Sequence, residues 1–197
     1  MTGNRQLTVL GSTGSIGRST LDVVSRCDNI SVFALSAYRN SELLLNQCLQ
    51  YKPRYAVLAD QEQHQHFKRL LAESGCKTEF LDTEDALELI AAHEHVDVVM
   101  AAIVGAAGLA SGLAAVSAGK RLLLANKESL IMSGKLFIDA AKQNNADIIP
   151  IDSEHNAIFQ CLAETRSGLS VTNGPFVDKL VLTASGGPFL NTSKEGL

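Results

Sequence analysis

Two rhythms of apolar and polar positions alternate along this chain. Short runs rich in apolar residues fall at residues 7–10, 30–35, 55–58, 78–81, 96–103, 121–125 and 148–151. Runs of that length predict buried strands. Helical spacing fills the gaps, at residues 16–27, 41–51, 61–73, 82–92, 107–118 and 128–144. The second of these helices carries Leu44, Cys48 and Tyr51 on one face, and the last carries Leu130, Phe137 and Ala141. Alternating strands and helices predict a doubly wound parallel α/β sheet with helices on both faces. The near-continuous apolar character of residues 96–103 fits a strand buried on both sides. The chain shows no internal repeat and no low-complexity tract.

The texture changes after Ile151. Gly, Ser, Thr and Asn become frequent and the alternation stops. We therefore expect one domain over residues 1–150 and the start of a second over 151–197. Residues 166–175 read as a loop, and 179–183 as a strand that needs partners from elsewhere.

Candidate chemistry begins at the first turn. Gly11-Ser12-Thr13-Gly14-Ser15-Ile16-Gly17 follows the first strand and opens the first helix. Glycine permits unusual dihedrals and close approach of the backbone to a pyrophosphate. The helix start offers unpaired amides and the positive end of a dipole. Ser12, Thr13 and Ser15 would add hydroxyl donors. The spacing is GxxGxxG rather than GxGxxG, and the strand-turn-helix context makes it a Rossmann-like signature. A tight turn with no ligand is the competing reading. At the tip of the second strand, where an enzyme using NAD places an acid, stands Arg39, with Ser36 and Asn40 beside it. A guanidinium suits a 2′-phosphate and so favours NADPH. The competing reading of Arg39 is a solvated loop charge.

Asp152 and Glu154 stand two apart at the end of the last predicted strand. In an extended segment both carboxylates share a side. Such a pair repels unless a cation intervenes, and oxygen-only ligands suit Mg²⁺ or Mn²⁺. An N-cap at Asp152 or Ser153 for a helix over 156–162 is an equal alternative. His93-Glu94-His95 reads as a solvated connection rather than a metal pair, and His64 and His66 as exposed. Lys127 and Glu128 either open a helix, with Glu128 complementing its dipole, or face a ligand.

Composition narrows the partners. A net charge of -4 over 197 residues, with acids and bases interspersed, argues against nucleic-acid and anionic-membrane surfaces. Cys27, Cys48, Cys76 and Cys161 form no CxxC pair, which fits reduced thiols in a cytoplasmic protein. No targeting pattern and no membrane-span-length apolar run is present, so a soluble cytoplasmic protein is expected.

Four segments together resemble the 1-deoxy-D-xylulose 5-phosphate reductoisomerase family. They are the glycine turn at 11–17, Leu124-Ala125-Asn126-Lys127-Glu128-Ser129-Leu130, Ile151-Asp152-Ser153-Glu154-His155, and Ala184-Ser185-Gly186-Gly187-Pro188-Phe189. Met100-Ala101-Ala102-Ile103-Val104-Gly105 is a fifth, and all stand in the expected order. The resemblance implies an NADPH-binding domain over 1–150 and the truncated start of an α+β catalytic domain over 151–197. It implies NADPH-dependent rearrangement and reduction of a phosphorylated ketose in isoprenoid precursor synthesis, with a divalent metal and a homodimer in the full-length form. Gly11, Thr13, Gly14, Ser15 and Ile16 would line the pyrophosphate, and Arg39 and Asn40 would meet the 2′-phosphate. Ala102, Asn126 and Glu128 would lie along the cofactor, and Lys127 would contact substrate. Asp152 and Glu154 would hold the metal, Ser153 would bind substrate, His155 would lie near the active site, and Ser185 would bind the substrate phosphate.

The family continues past the position of Leu197 with a third metal-binding glutamate, further phosphate ligands and a lid. The resemblance therefore implies a chain that binds NADPH without turning over substrate. One rival reading is another NADPH oxidoreductase such as a semialdehyde dehydrogenase. That would need an activated cysteine, and Cys161 sits within a predicted helix without an electropositive setting. The other rival is a non-catalytic dinucleotide-binding module.

Overall fold

A computed structural model describes residues 3–162, 179–181 and 192–193. The chain divides into two compact units, Met1–Ile149 and Pro150–Leu197.

Unit 1 is a strand-helix alternation. Strands β1 (Arg5–Leu10), β2 (Ile30–Ala37), β3 (Tyr55–Leu58), β4 (Glu79–Leu81), β5 (Val98–Ala101), β6 (Arg121–Leu124) and β7 (Ile148–Pro150) form one sheet in the order β4-β3-β2-β1-β5-β6-β7. Helices α1 (Ser15–Val24), α2 (Ser41–Tyr51), α3 (His64–Ser74), α4 (Ala86–Ala92), α5 (Leu109–Ser117) and α6 (Lys127–Asn144) connect them. β1 pairs in parallel with β2 on one side and β5 on the other, and the β2–β3, β3–β4 and β5–β6 pairs are parallel too. The chain moves outward from β1 to β4, then crosses back to β5 and moves outward again. Right-handed crossovers put the helices of those two excursions on opposite faces. The expected doubly wound α/β sheet is present.

The central strands bury both faces. Val9, Ala34, Leu35 and Val99 are fully buried. On one face Phe137 of α6, Val116 of α5 and Ile90 of α4 pack with Phe33, Val99 and Leu122. Phe67 of α3 and Leu44 and Cys48 of α2 are fully buried as well. Truncating a buried Phe such as Phe137 costs about 3–5 kcal/mol in domains of this kind.

Several boundaries differ from the sequence reading. β5 is half the predicted length, because its ladder with β1 ends at Ala101, opposite Leu10. Beyond it Ala102 and Ile103 peel into a loop despite their apolar character. α1 stops at Val24 and α4 starts only at Ala86. α6 bends at Ser133, whose φ of -143° and ψ of 27° break the helix just before Gly134, a pairing that commonly marks a kink. In unit 2, α7 spans Ser153–Cys161. Lys179, Leu180 and Val181 are exposed and carry no strand, having no ladder partner among the described residues. The predicted loop at 166–175, the rest of that predicted strand and the segment Ala184–Phe189 with Ser185 lie outside the described residues.

Candidate functional site

The order reversal at β1 sets the carboxyl ends of β1 and β5 side by side, and open α/β sheets hold ligands in the crevice beyond such a switch point. Two loops meet there. Gly11, with φ of +81°, comes so close to the β5 loop that a Cβ would stand 2.9 Å from the Ala102 carbonyl oxygen. At Gly17 a Cβ would stand 2.4 Å from the Gly11 carbonyl oxygen. The first and last glycines are therefore fixed by packing. Gly14, Ser15 and Ile16 between them are exposed, and Thr13 is half-buried. Gly14 caps α1 without a side-chain hydrogen bond. The first amides of a helix have no partner within it, so those of α1 face outward as donors for an anion.

The turn is braced from beneath. The Gly11 amide donates to Ser36 Oγ at 3.0 Å, and the Ser12 amide donates to the Ser36 carbonyl at 2.7 Å. Ser12 Oγ donates to Gln47 Oε1 at 2.6 Å, and Gln47 Nε2 donates back to the Ser12 carbonyl at 3.0 Å. Ser12, Ser36 and Gln47 are all buried. This corrects two expectations: the Ser12 hydroxyl does not reach toward phosphate, and Ser36 is not part of the Arg39 edge. Gln47 escaped the sequence reading. Its signal was a polar residue at the helical spacing of Leu44, Cys48 and Tyr51, on the inward face of α2.

At the tip of β2, Tyr38, Arg39 and Asn40 are exposed. The Arg39 guanidinium lies over the Tyr38 ring, 4.8 Å from its centroid, and its Nε stands 3.6 Å from Asp60 Oδ2. Asp60, just past β3, is thus an acid beside the basic edge that the reading of β2 alone did not anticipate. Asn40 caps α2, its side chain accepting from the Leu43 amide at 3.1 Å.

Asn126 joins two loops. Its Nδ2 donates to the carbonyls of Ile103 at 2.7 Å and Gly105 at 2.8 Å, while Oδ1 accepts from the Ser129 amide at 3.2 Å as the cap of α6. Both amide protons are spent on the β5 loop, so the side chain acts there as a clamp. Ala102 and Glu128 are half-buried and Lys127 is exposed at the start of α6.

In unit 2, Asp152 is the N-cap of α7, with φ of -63° and ψ of 151°, and Glu154 lies in the first helical turn. The extended-segment argument for their pairing is corrected: a cap and a helix position, not strand alternation, set their directions. Asp152 Oδ2 accepts from the His155 amide at 3.4 Å and stands 2.6 Å from His155 Nδ1. Ser153 Oγ donates to Glu154 Oε2 at 2.9 Å. Ser153, Glu154 and His155 are exposed. Among the described residues no group of three or more His, Cys, Asp or Glu side chains is arranged to hold a metal.

The histidines elsewhere depart from expectation. His64 is half-buried with Nε2 2.7 Å from the Leu58 carbonyl, and His66 is half-buried beside Glu42. His93 packs 4.6 Å from the Phe33 ring, and burial lowers its pKa. All four cysteines are free, and burial pushes the Cys48 thiol up to about 12. Among the described residues no helix is long and apolar enough to cross a membrane.

A doubly wound sheet with a glycine turn at its switch point defines an α/β protein with a Rossmann-like domain. The family model for 1-deoxy-D-xylulose 5-phosphate reductoisomerase matches residues 7–134, and that for the C-terminal domain of the same enzyme matches residues 148–197. The reductoisomerase of Saccharophagus degradans is 56% identical over 189 residues, covering 95% of this chain and 47% of that protein. A crystal structure of DOX-P reductoisomerase with NADPH, fosmidomycin and magnesium superposes with a TM-score of 0.88 at 42% identity, covering 97% of this chain and 48% of that one. The Zymomonas mobilis enzyme in complex with NADPH gives 0.86 at 44% identity, covering 98% and 49%. The chain belongs to the 1-deoxy-D-xylulose 5-phosphate reductoisomerase family. It spans about half the length of the curated relatives it matches.

Proposed function

We propose that this chain is the cofactor-binding part of an NADPH-dependent reductoisomerase. The complete enzyme would convert 1-deoxy-D-xylulose 5-phosphate to 2-C-methyl-D-erythritol 4-phosphate in isoprenoid precursor synthesis. The observation that carries the reading is the braced glycine turn at the switch point, with exposed amides at the start of α1. Close packing at Gly11 and Gly17 leaves no room for a side chain at either end of the turn. That cradle fits a pyrophosphate.

In this reading Gly11, Thr13, Gly14, Ser15 and Ile16 hold the pyrophosphate, and Arg39 and Asn40 hold the 2′-phosphate. Asn126 keeps the β5 loop with Ala102 in place along the cofactor, and Glu128 lies farther along it. Lys127 offers a cation to the phosphorylated substrate. Asp152 and Glu154 contribute hard oxygen ligands to Mg²⁺ or Mn²⁺, Ser153 and Ser185 bind substrate, and His155 orients Asp152. When bound, NADPH supplies hydride and the metal polarises the ketose oxygens. The relatives solved with NADPH and with magnesium support these assignments. We also propose a homodimer in the full-length form, on the apolar side chains exposed along α6. The free cysteines support a cytoplasmic location, which cell fractionation tests.

The test is a titration of the parent and Arg39→Ala with NADPH and NADH. The parent should prefer NADPH. Loss of the charge-assisted contact should cost about 1.5–3 kcal/mol with NADPH and little with NADH. Equal affinity of the parent for both nucleotides defeats the reading.

A further inference from the structure

We propose that Gln47 is a positioning residue for the dinucleotide: its two buried hydrogen bonds to Ser12 lock the phosphate turn to α2, the helix that begins at the Arg39–Asn40 edge. The inference rests on the functional reading above.

The turn has little to hold it by itself. Its own backbone supplies one short-range bond, from the Gly14 amide to the Gly11 carbonyl at 3.1 Å. The other hydrogen bonds to Gly11 and Ser12 come from β2 and α2. Ser36 takes the amides of Gly11 and Ser12. Gln47 takes the remaining polar groups of Ser12, its hydroxyl and its carbonyl. Ser12 is fully buried and Gln47 is 6% exposed.

A buried amide is costly unless it is paired. At this position a leucine would continue the apolar stripe of Leu44 and Cys48. The glutamine instead makes a reciprocal pair with one residue, and that residue lies directly before the amides facing the crevice.

Helix α2 is a rigid element. From its cap at Asn40 to Gln47 is about two turns, or roughly 10 Å. One end of that strut carries the proposed 2′-phosphate edge, and the other grips the pyrophosphate turn. A turn held in place before binding loses less conformational freedom when the ligand arrives. The pyrophosphate is common to NADPH and NADH, so the contribution of Gln47 is common to both. Arg39 acts on the 2′-phosphate alone.

The test measures NADPH and NADH affinity, thermal stability and amide hydrogen exchange for the parent, Gln47→Leu, Gln47→Glu and Ser12→Ala. Gln47→Leu should weaken both nucleotides by roughly tenfold, with their affinity ratio kept, and speed exchange at residues 12–16. Gln47→Glu keeps the acceptor for the Ser12 hydroxyl but sets a carboxylate against the Ser12 carbonyl, so it should be no better. Ser12→Ala keeps the bond from Gln47 Nε2 and should show a smaller loss of the same kind. It carries the test if the Gln47 variants do not fold. A role confined to stability would lower Tm and leave the affinity of the folded protein unchanged. That result, or a change in the NADPH to NADH ratio like that of Arg39→Ala, overturns the proposal. A parent that binds neither nucleotide overturns the functional reading and this inference with it. A parent that binds, with variants that bind equally well, overturns this inference alone.

Discussion

Asp152 shows how one side chain can serve a fold and a site together. It caps α7 and is proposed to hold a metal, and the two roles separate by substitution. Asparagine caps a helix about as well as aspartate but brings no charge to a cation. In the complete protein, Asp152→Asn should leave thermal stability without metal near that of the parent. The Mn²⁺ concentration giving half-maximal turnover should rise by roughly tenfold, since a hard cation prefers an ionised oxygen ligand. Unchanged turnover at limiting Mn²⁺ would reduce Asp152 to a cap. Residue-scale legibility was uneven for a physical reason. The glycines of the turn were readable because backbone constraints are local. Ser12 and Ser36 were misassigned because their hydroxyls are claimed by Gln47 and Gly11, partners 35 and 25 residues away in sequence.

Among elements, the strands and helices followed from apolar rhythm, and two matched residue for residue: α2 and β3. The misses came where a neighbour sets the limit. β5 ends where β1 ends, and α6 bends where Ser133 meets Gly134, neither of which hydropathy encodes. The junction between α4 and β5 has an electrostatic consequence. His93 packs with a tilted ring against Phe33 of β2 and Tyr55 of β3. Desolvation first, then the charge of His95, lowers its pKa below the ordinary 6.5. The folded state therefore takes up a proton less readily than the unfolded chain. Its contribution is intact above pH 6.5, declines as pH falls toward the lowered value, and is fully lost below it. Tm measured at roughly pH 7.5 and 5.5 should fall more in the parent than in His93→Gln. An identical fall in both would show that other groups set the acid sensitivity.

For the molecule as a whole, large apolar side chains of α6 are left uncovered among the described residues. On α6, Ile131 is 79% exposed, Leu136 59% and Met132 50%. Apolar side chains grouped along one helix favour an interaction surface. Sedimentation of the complete protein should give the mass of two chains, and Ile131→Lys with Leu136→Lys should shift it toward one. A parent that sediments as a single chain removes the homodimer from the proposal. The position of β1 has a further consequence, for synthesis. Among the strands of this sheet it is made first, and it is the strand that β2 and β5 enclose, with Leu7 beside Val98. At about 5–20 residues per second, one edge of this apolar strand waits for several seconds before β5 exists to cover it. The nascent chain must therefore pass through a stage in which a central strand of the finished sheet is open along one edge, when a chaperone or a neighbouring nascent chain can reach it first.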